Sequence, residues 1–398
     1  MSSRPTLAHS DIDIFSDAVL VDPYPVYKQL RNEGASVYLS SCDAWFVGRY
    51  VDVRAALADW EGFSSAKGIG FNPIINTAWE EALICQDPPV HTVRRKHIVE
   101  ALSPRSLRNV ADTIDARAAD LAEKVLLQGT FDGVPDFAHD LPIGVVMNLI
   151  GWPEEVRPHL LRIAAGSWNA AGPENARMHS GLAQLHELLQ IVTDVYDRNL
   201  AVPGGFAAAL IAAGQDGQIS RETAIGMLMG YIVAAFETTI SAMAAGLWLF
   251  ATHKDEWDKL RANSRLAAQA ANEIVRWESP LQNFARTTTK EQTLSDGSTI
   301  PAGARVIVSY ASANRDERQF ADPDTFRIDR DERQNLGFGF GPHNCAGQGL
   351  ARMELVSVFT ALASRVAHIT LAGEPTRALN NIARSFSYLP LHVTADQS

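Results

Sequence analysis

Residues 337–349 read GFGFGPHNCAGQG. Five glycines, one proline and two phenylalanines surround a single thiol, Cys345, and His343 stands two residues before it. Directly afterwards Leu355, Val358, Phe359, Leu362 and Val366 recur on one helical face, so the pattern predicts a helix over 350–366. A cysteine in a glycine-rich turn before a helix lies among backbone N–H groups and at the positive end of the helix dipole. Both favour thiolate over thiol. A thiolate serves as nucleophile or metal ligand, whereas an isolated free cysteine is more often a small buried hydrophobe. The nucleophile reading needs a base. His343 is the neighbour on offer, but adjacent loop positions point such side chains apart, and no third orienting group is near in sequence.

Working outward, the chain has 398 residues, 46% of them hydrophobic, enough to bury a substantial core. A net charge of −11 argues against nucleic-acid binding, which needs a basic surface. Three cysteines (Cys42, Cys85 and Cys345) lack zinc-finger spacing and are too few for a disulfide scaffold, so a cytoplasmic protein is expected. The first 20 residues do not read as a signal peptide. The longest apolar run, 227–250, carries Glu237 near its middle, so no membrane span is expected. With no repeat and no low-complexity linker, residues 1–398 read as one large domain.

Helical patterns run over 117–127, 181–200, 221–250, 266–277 and 350–366. Strand patterns are short: 44–49, 368–372, 389–394, and a hairpin-like run over 292–310 with Asp296-Gly297 as its turn. The fold class is therefore mainly α with small peripheral β-sheets.

The spacing Phe338-x-x-Gly341-x-x-x-Cys345-x-Gly347 resembles the haem-binding loop of the cytochrome P-450 family, the haem-thiolate monooxygenases. Four further motifs follow the family's order. Glu273-x-x-Arg276 and Pro323-x-x-Phe326-x-x-x-Arg330 are similar to its structural triad; alone, an i,i+3 pair means little and contributes about 0.2–0.5 kcal/mol. The apolar run 230–239 resembles the long central helix that crosses the haem, with Ala234, Phe236, Glu237 and Thr238 at matching positions and Ala235 where glycine is usual. Asp87-Pro88-Pro89-x-His91-x-x-x-Arg95 and Phe284-Ala285-Arg286 resemble its propionate-binding segments.

The resemblance implies haem b (iron protoporphyrin IX) as cofactor and Cys345 as its axial ligand. Thiolate pushes electron density onto iron. It implies Phe338 and Gly347 beside the ligand, and His91, Arg95, Arg286 and His343 on the propionates. Glu237 and Thr238 are implied as an acid–alcohol pair for proton delivery. Glu273, Arg276 and Arg330 are implied as structural. By position, the substrate pocket is expected to include Phe71, Trp168, Ala234, Leu281, Phe284 and Ile382.

The lack of a fused reductase pattern implies an external ferredoxin-type or flavin-containing electron donor. The segments 63–71 and 279–289 look similar to bacterial members acting on small substituted benzoic acids, often by O-demethylation of methoxy groups. Met229-Gly230-Tyr231 lacks the polar side chains that hold the carboxylate in those members, so a small apolar or aromatic substrate is expected without a strict benzoate requirement. Alternatives are a terpenoid or fatty-acid oxygenase, a non-oxygenating haem ligand-binding protein, or a cysteine hydrolase. The last leaves the triad and the His91/Arg95 pair unexplained.

Overall fold

A computed structural model describes residues 8–330 and 334–396. Helices dominate, with short sheets at the periphery. The sequence expectation of one helix over 221–250 meets a break. One helix runs from Arg221 to Ala235 and a second from Glu237 to Thr252, with Phe236 between them. The first is capped by Ser220, whose hydroxyl accepts the Thr223 N–H at 3.0 Å. At the break the Thr238 hydroxyl donates to the Ala234 carbonyl at 3.0 Å. Such back-bonding competes with the helical ladder and bends helices.

Arg221 to Thr252 is long and apolar enough to cross a membrane, yet 72% of its most apolar window is buried inside the protein. It is packed by its neighbours, as an apolar core helix should be. The helices Arg157–Ala170 and Ala176–Asp197 pack together and against its first half.

The helix predicted over 350–366 spans Gln348–Ala363, and Val366 instead opens the strand Val366–Leu371. That strand pairs antiparallel with Pro390–Ala395. The run 292–310 is not one hairpin. Asp296-Gly297 closes a ribbon of Gln292–Thr293 and Thr299–Ile300, while Arg305–Ser309 leaves it. Arg305–Ser309 pairs parallel with Ala44–Val47 and antiparallel with Asn283–Thr288. Its residues Val306, Ile307 and Val308 are all buried, which suits a central strand covered on both faces. The sheet order is Ala8–Ser10, Val37–Leu39, Ala44–Val47, Arg305–Ser309, Asn283–Thr288, Phe63–Ser64. Alternation along Asn283–Thr288 puts Phe284 and Arg286 on one face, where both reach the central cavity.

Candidate functional site

A cavity of about 300 Å³ lies between the broken central helix and the cysteine loop. The loop is folded back by the Cys345 N–H, which donates to the Phe338 carbonyl at 2.8 Å. Gly341 has φ +70°, and a β-carbon there would stand 2.3 Å from the Leu57 carbonyl oxygen. Only glycine meets both demands. The backbone amides of Gly347 and Gln348 hydrogen-bond the Cys345 sulfur.

The amides of the turn and helix start favour the thiolate, as expected, but for the free side chain they are outweighed. Burial pushes the Cys345 thiol up, against the pull of those amides, Arg95 and Arg352. A coordinated metal cation would remove the proton outright. A cysteine hydrolase, which needs a thiolate without metal, loses support accordingly.

Along one side of the cavity four nitrogen-bearing side chains converge. His91 and Arg95 sit one turn apart on the helix Val90–Ala101. Arg286 comes from its strand and His343 from the cysteine loop. The imidazole centroids of His91 and His343 are 4.3 Å apart, and each Nε2 is buried without a partner among the described residues. Burial and Arg95 lower His91 to about 4; burial, Arg286, His91 and Arg95 lower His343 to about 2.

Arg95 donates to the Asn344 carbonyl (2.6 Å) and side-chain oxygen (2.8 Å), and Arg286 donates to the Ala285 carbonyl (2.8 Å). Among the described residues the acceptors on these two guanidiniums are neutral. Orphaned nitrogens beside guanidiniums without carboxylates form a cradle for an anionic group. With a thiol across the cavity, the donor set fits an iron porphyrin bearing two propionates.

Thr238 lines the opposite wall with Ala234, Ala235 and Thr239. Glu237 does not face the cavity. Consecutive helical residues point about 100° apart, and its carboxyl turns to Ser385 and Ser241. Burial raises Glu237 to about 7.

A family model for cytochrome P-450 matches residues 173–376. The cytochrome P-450 CYP199A2 of Rhodopseudomonas palustris is 36% identical, covering 97% of this chain and 94% of its own. The chain is a cytochrome P-450. Linalool 8-monooxygenase of Pseudomonas putida is 31% identical over 97% of this P-450 and 98% of its own length. Cytochrome P-450 CYP109Q5 from Chondromyces apiculatus superposes with a TM-score of 0.82 at 27% identity, covering 99% and 100% of the two chains. Mycobacterium smegmatis CYP164A2 gives 0.86 at 26% identity, covering 96% and 98%. This P-450 is thus an oxidoreductase of the monooxygenase class, with haem b as its cofactor.

Of the expected pocket residues, Trp168, Ala234, Leu281 and Phe284 lie on the cavity wall of the P-450, as do Phe338 and Gly347 of the loop. Two do not. Phe71 packs on Phe15, with ring centroids 5.0 Å apart, because the segment before it turns toward the second core cluster. Ile382 is fully buried behind the wall, where its N–H is held by the Asn380 side chain at 3.0 Å and its carbonyl by the Gln282 N–H. Lys67 is exposed to solvent.

Glu273 bridges Arg276 at 2.7 Å and Arg330 at 3.3 Å, all three buried. Arg276 also donates to the Asn314 carbonyl at 2.8 Å, and the Asn314 side chain accepts the Leu336 N–H at 2.6 Å. The triad therefore reaches the cysteine loop through one asparagine.

Sequence reasoning missed Glu354. It lies on the cysteine helix, 1% exposed, on the cavity wall, with one carboxyl oxygen unpartnered among the described residues. The signal was present, since Glu354 stands four residues from both Leu350 and Val358 on the apolar face. Burial alone raises it to about 8. A carboxyl raised on folding keeps its proton in the native state while the unfolded chain releases one. Wild-type stability is therefore lost as pH climbs from about 5 to about 8. A Glu354→Gln protein should lose less melting temperature across that range, as calorimetry at several pH values would show. Parallel curves for the two proteins would contradict the buried, neutral carboxyl.

Proposed function

We propose that this P-450 binds haem b through Cys345 and inserts one oxygen atom from O2 into a small aromatic substrate, by hydroxylation or by O-demethylation of a methoxyarene. The reading is supported above all by one observation: Cys345 and Thr238 line opposite walls of a cavity flanked by His91, Arg95, Arg286 and His343. His91, Arg95, Arg286 and His343 hold the propionates, and Phe338 and Gly347 shape the surroundings of the sulfur. Residues 1–398 act as a single domain in the cytoplasm. Electrons come from NAD(P)H through a ferredoxin-type or flavin-containing donor.

When bound, the haem supplies dioxygen activation and oxygen-atom transfer. The protein supplies protons and orientation. Thr238 presents a hydroxyl at the helix break, where it can hold a water in the cavity. Glu237 stores a proton behind the wall and passes it through hydroxyls and water. The aromatic wall clamps the ring so that the reacting carbon stays in place. Oxygen insertion at a methoxy C–H bond gives a hemiacetal, which releases formaldehyde and the phenol.

Thr238→Ala should cut product formation roughly a hundredfold, the low end of what a positioned proton donor contributes, while NAD(P)H consumption continues. Product yield in wild type should fall as pH rises through about 7, where Glu237 ionises, and Glu237→Gln should lack that step. Unchanged coupling in Thr238→Ala would count against the relay. The substrate class is tested by a panel of methoxyarenes, terpenes and fatty acids scored by spin-state shift of the Soret band. A response to long-chain acids alone would overturn the aromatic reading. The likeness to a linalool monooxygenase makes terpenoids the second arm of that panel.

A further inference from the structure

One stretch of the cavity wall is aromatic. Trp168, 3% exposed, meets Trp79 edge-on at 5.9 Å and lies against Phe284 at 5.5 Å between ring centroids. Phe284 in turn meets Tyr310 edge-on at 5.9 Å. All four rings line the cavity. Within this apolar cluster the Trp168 indole N–H is buried and has no acceptor among the described residues. A buried donor left unpaired is costly; the Trp152 and Trp277 indoles are also unpartnered among the described residues, but of the three only Trp168 lines the cavity. A second unpartnered donor, the Tyr231 hydroxyl, also lines the cavity. Its ring lies on Phe206, with centroids 4.4 Å apart, and Cys345 and Arg95 are its charged neighbours. The Trp168 ring lines the same cavity, and its donor belongs to the aromatic cluster rather than to the nitrogen cradle.

Among the described residues the cations lining the cavity are Arg95 and Arg286, which belong to the propionate cradle with His91 and His343. Lys67 is outside. A carboxylate entering beside Trp168 would shed its water for one neutral donor and no cation, an unfavourable exchange. A neutral oxygen sheds little and gains a hydrogen bond.

Resting on the aromatic monooxygenase reading above, we infer that Trp168 is a specificity-determining residue. Its indole N–H receives a neutral oxygen of the substrate, an aldehyde, ketone, phenol or ether on the ring position remote from the oxidised group. The enzyme therefore selects neutral oxygenated arenes over aromatic carboxylates.

Three probes of like shape separate the possibilities: 4-methoxybenzaldehyde, 4-methoxytoluene and 4-methoxybenzoate. Binding is read by spectral titration and, independently, by calorimetry, on wild type, Trp168→Phe and Tyr231→Phe. The reduced carbon-monoxide spectrum of each preparation is recorded first. A wild type without the thiolate band would fail the haem-thiolate reading itself, before the question of Trp168 arises.

In wild type the aldehyde should bind about 3- to 10-fold tighter than the toluene, the worth of one neutral hydrogen bond, and the benzoate should bind weakest. Trp168→Phe should erase the aldehyde's advantage and leave the toluene unchanged. Tyr231→Phe should preserve the ratio. A benzoate that binds tightest overturns the inference. So does equal weakening of aldehyde and toluene by Trp168→Phe, which would mark Trp168 as packing alone, or loss of the ratio in Tyr231→Phe only.

Discussion

Cys345→Ala protein is expected to lose oxygenation completely and to lack the red-shifted Soret band of the reduced carbon-monoxide complex. Both follow from chemistry at one atom. Thiolate ligation donates electron density that no alanine, water or neighbouring imidazole replaces. The two other cysteines offer no substitute. Cys85 is buried in the turn Leu83–Cys85, with its sulfur bonded by the Ile69 backbone, and Cys42 packs with the second core cluster near Asp13 and Asp43. Neither lines the cavity. The propionate cradle is untouched by the substitution, so the variant should still take up porphyrin, at reduced occupancy. Supplying Cys345→His should restore a five-coordinate haem whose carbon-monoxide band lies at the ordinary, unshifted position. A red-shifted band persisting in Cys345→Ala would remove Cys345 from the iron. Apoprotein that folds but binds no haem even as Cys345→His would instead question the cradle.

The cysteine loop was legible because its constraints are local. Glycine at 341, the hydrogen bond from Cys345 back to Phe338 and the helix start at Gln348 all lie within a dozen residues. His91 and Arg95 were legible for the same reason, a single helical turn. Long-range relations were not. No pattern within 292–310 announces that Arg305–Ser309 leaves its ribbon to pair with Ala44–Val47, over 250 positions away in the chain. The direction of a side chain was equally hidden. Glu237 and Thr238 are adjacent in sequence, yet one faces Ser385 and the other the cavity. Phe71 and Ile382 were expected on the wall from position alone, and packing carried them behind it. Ionisation is the least local property. The turn argued for a thiolate at Cys345, and the burial that outweighs it comes from the whole fold.

Glu273→Gln should be among the most destabilising single changes in the protein, although sequence alone values its partner Arg276 as an ordinary i,i+3 pair. Exposure makes the difference. The side chains of Glu273 and Arg276 are 1% and 0% exposed, and that of Arg330 is 4%. Among the described residues Glu273 is the one carboxylate that bridges both guanidiniums, and it also accepts the Arg327 N–H at 3.1 Å. The amide variant keeps shape and some hydrogen bonding but leaves two buried cations without their counter-charge, a loss of about 3–5 kcal/mol. The damage should spread toward the haem, because Arg276 holds the Asn314 carbonyl and Asn314 holds Leu336, two residues before Phe338. Haem release on mild denaturation should therefore precede global unfolding in the variant, with Soret loss separating from the circular-dichroism transition. A combined Glu273→Leu, Arg276→Met, Arg330→Met protein, which removes every charge at once, should recover much of the stability, since an apolar replacement of a whole buried network is often near neutral. It should still bind haem less firmly, because the carbonyls of Asn314, Pro323 and Ala321 lose the guanidiniums that now satisfy them. A Glu273→Gln protein that loses less than about 1 kcal/mol, the range of exposed pairs, would show that the triad is incidental to the loop that carries Cys345.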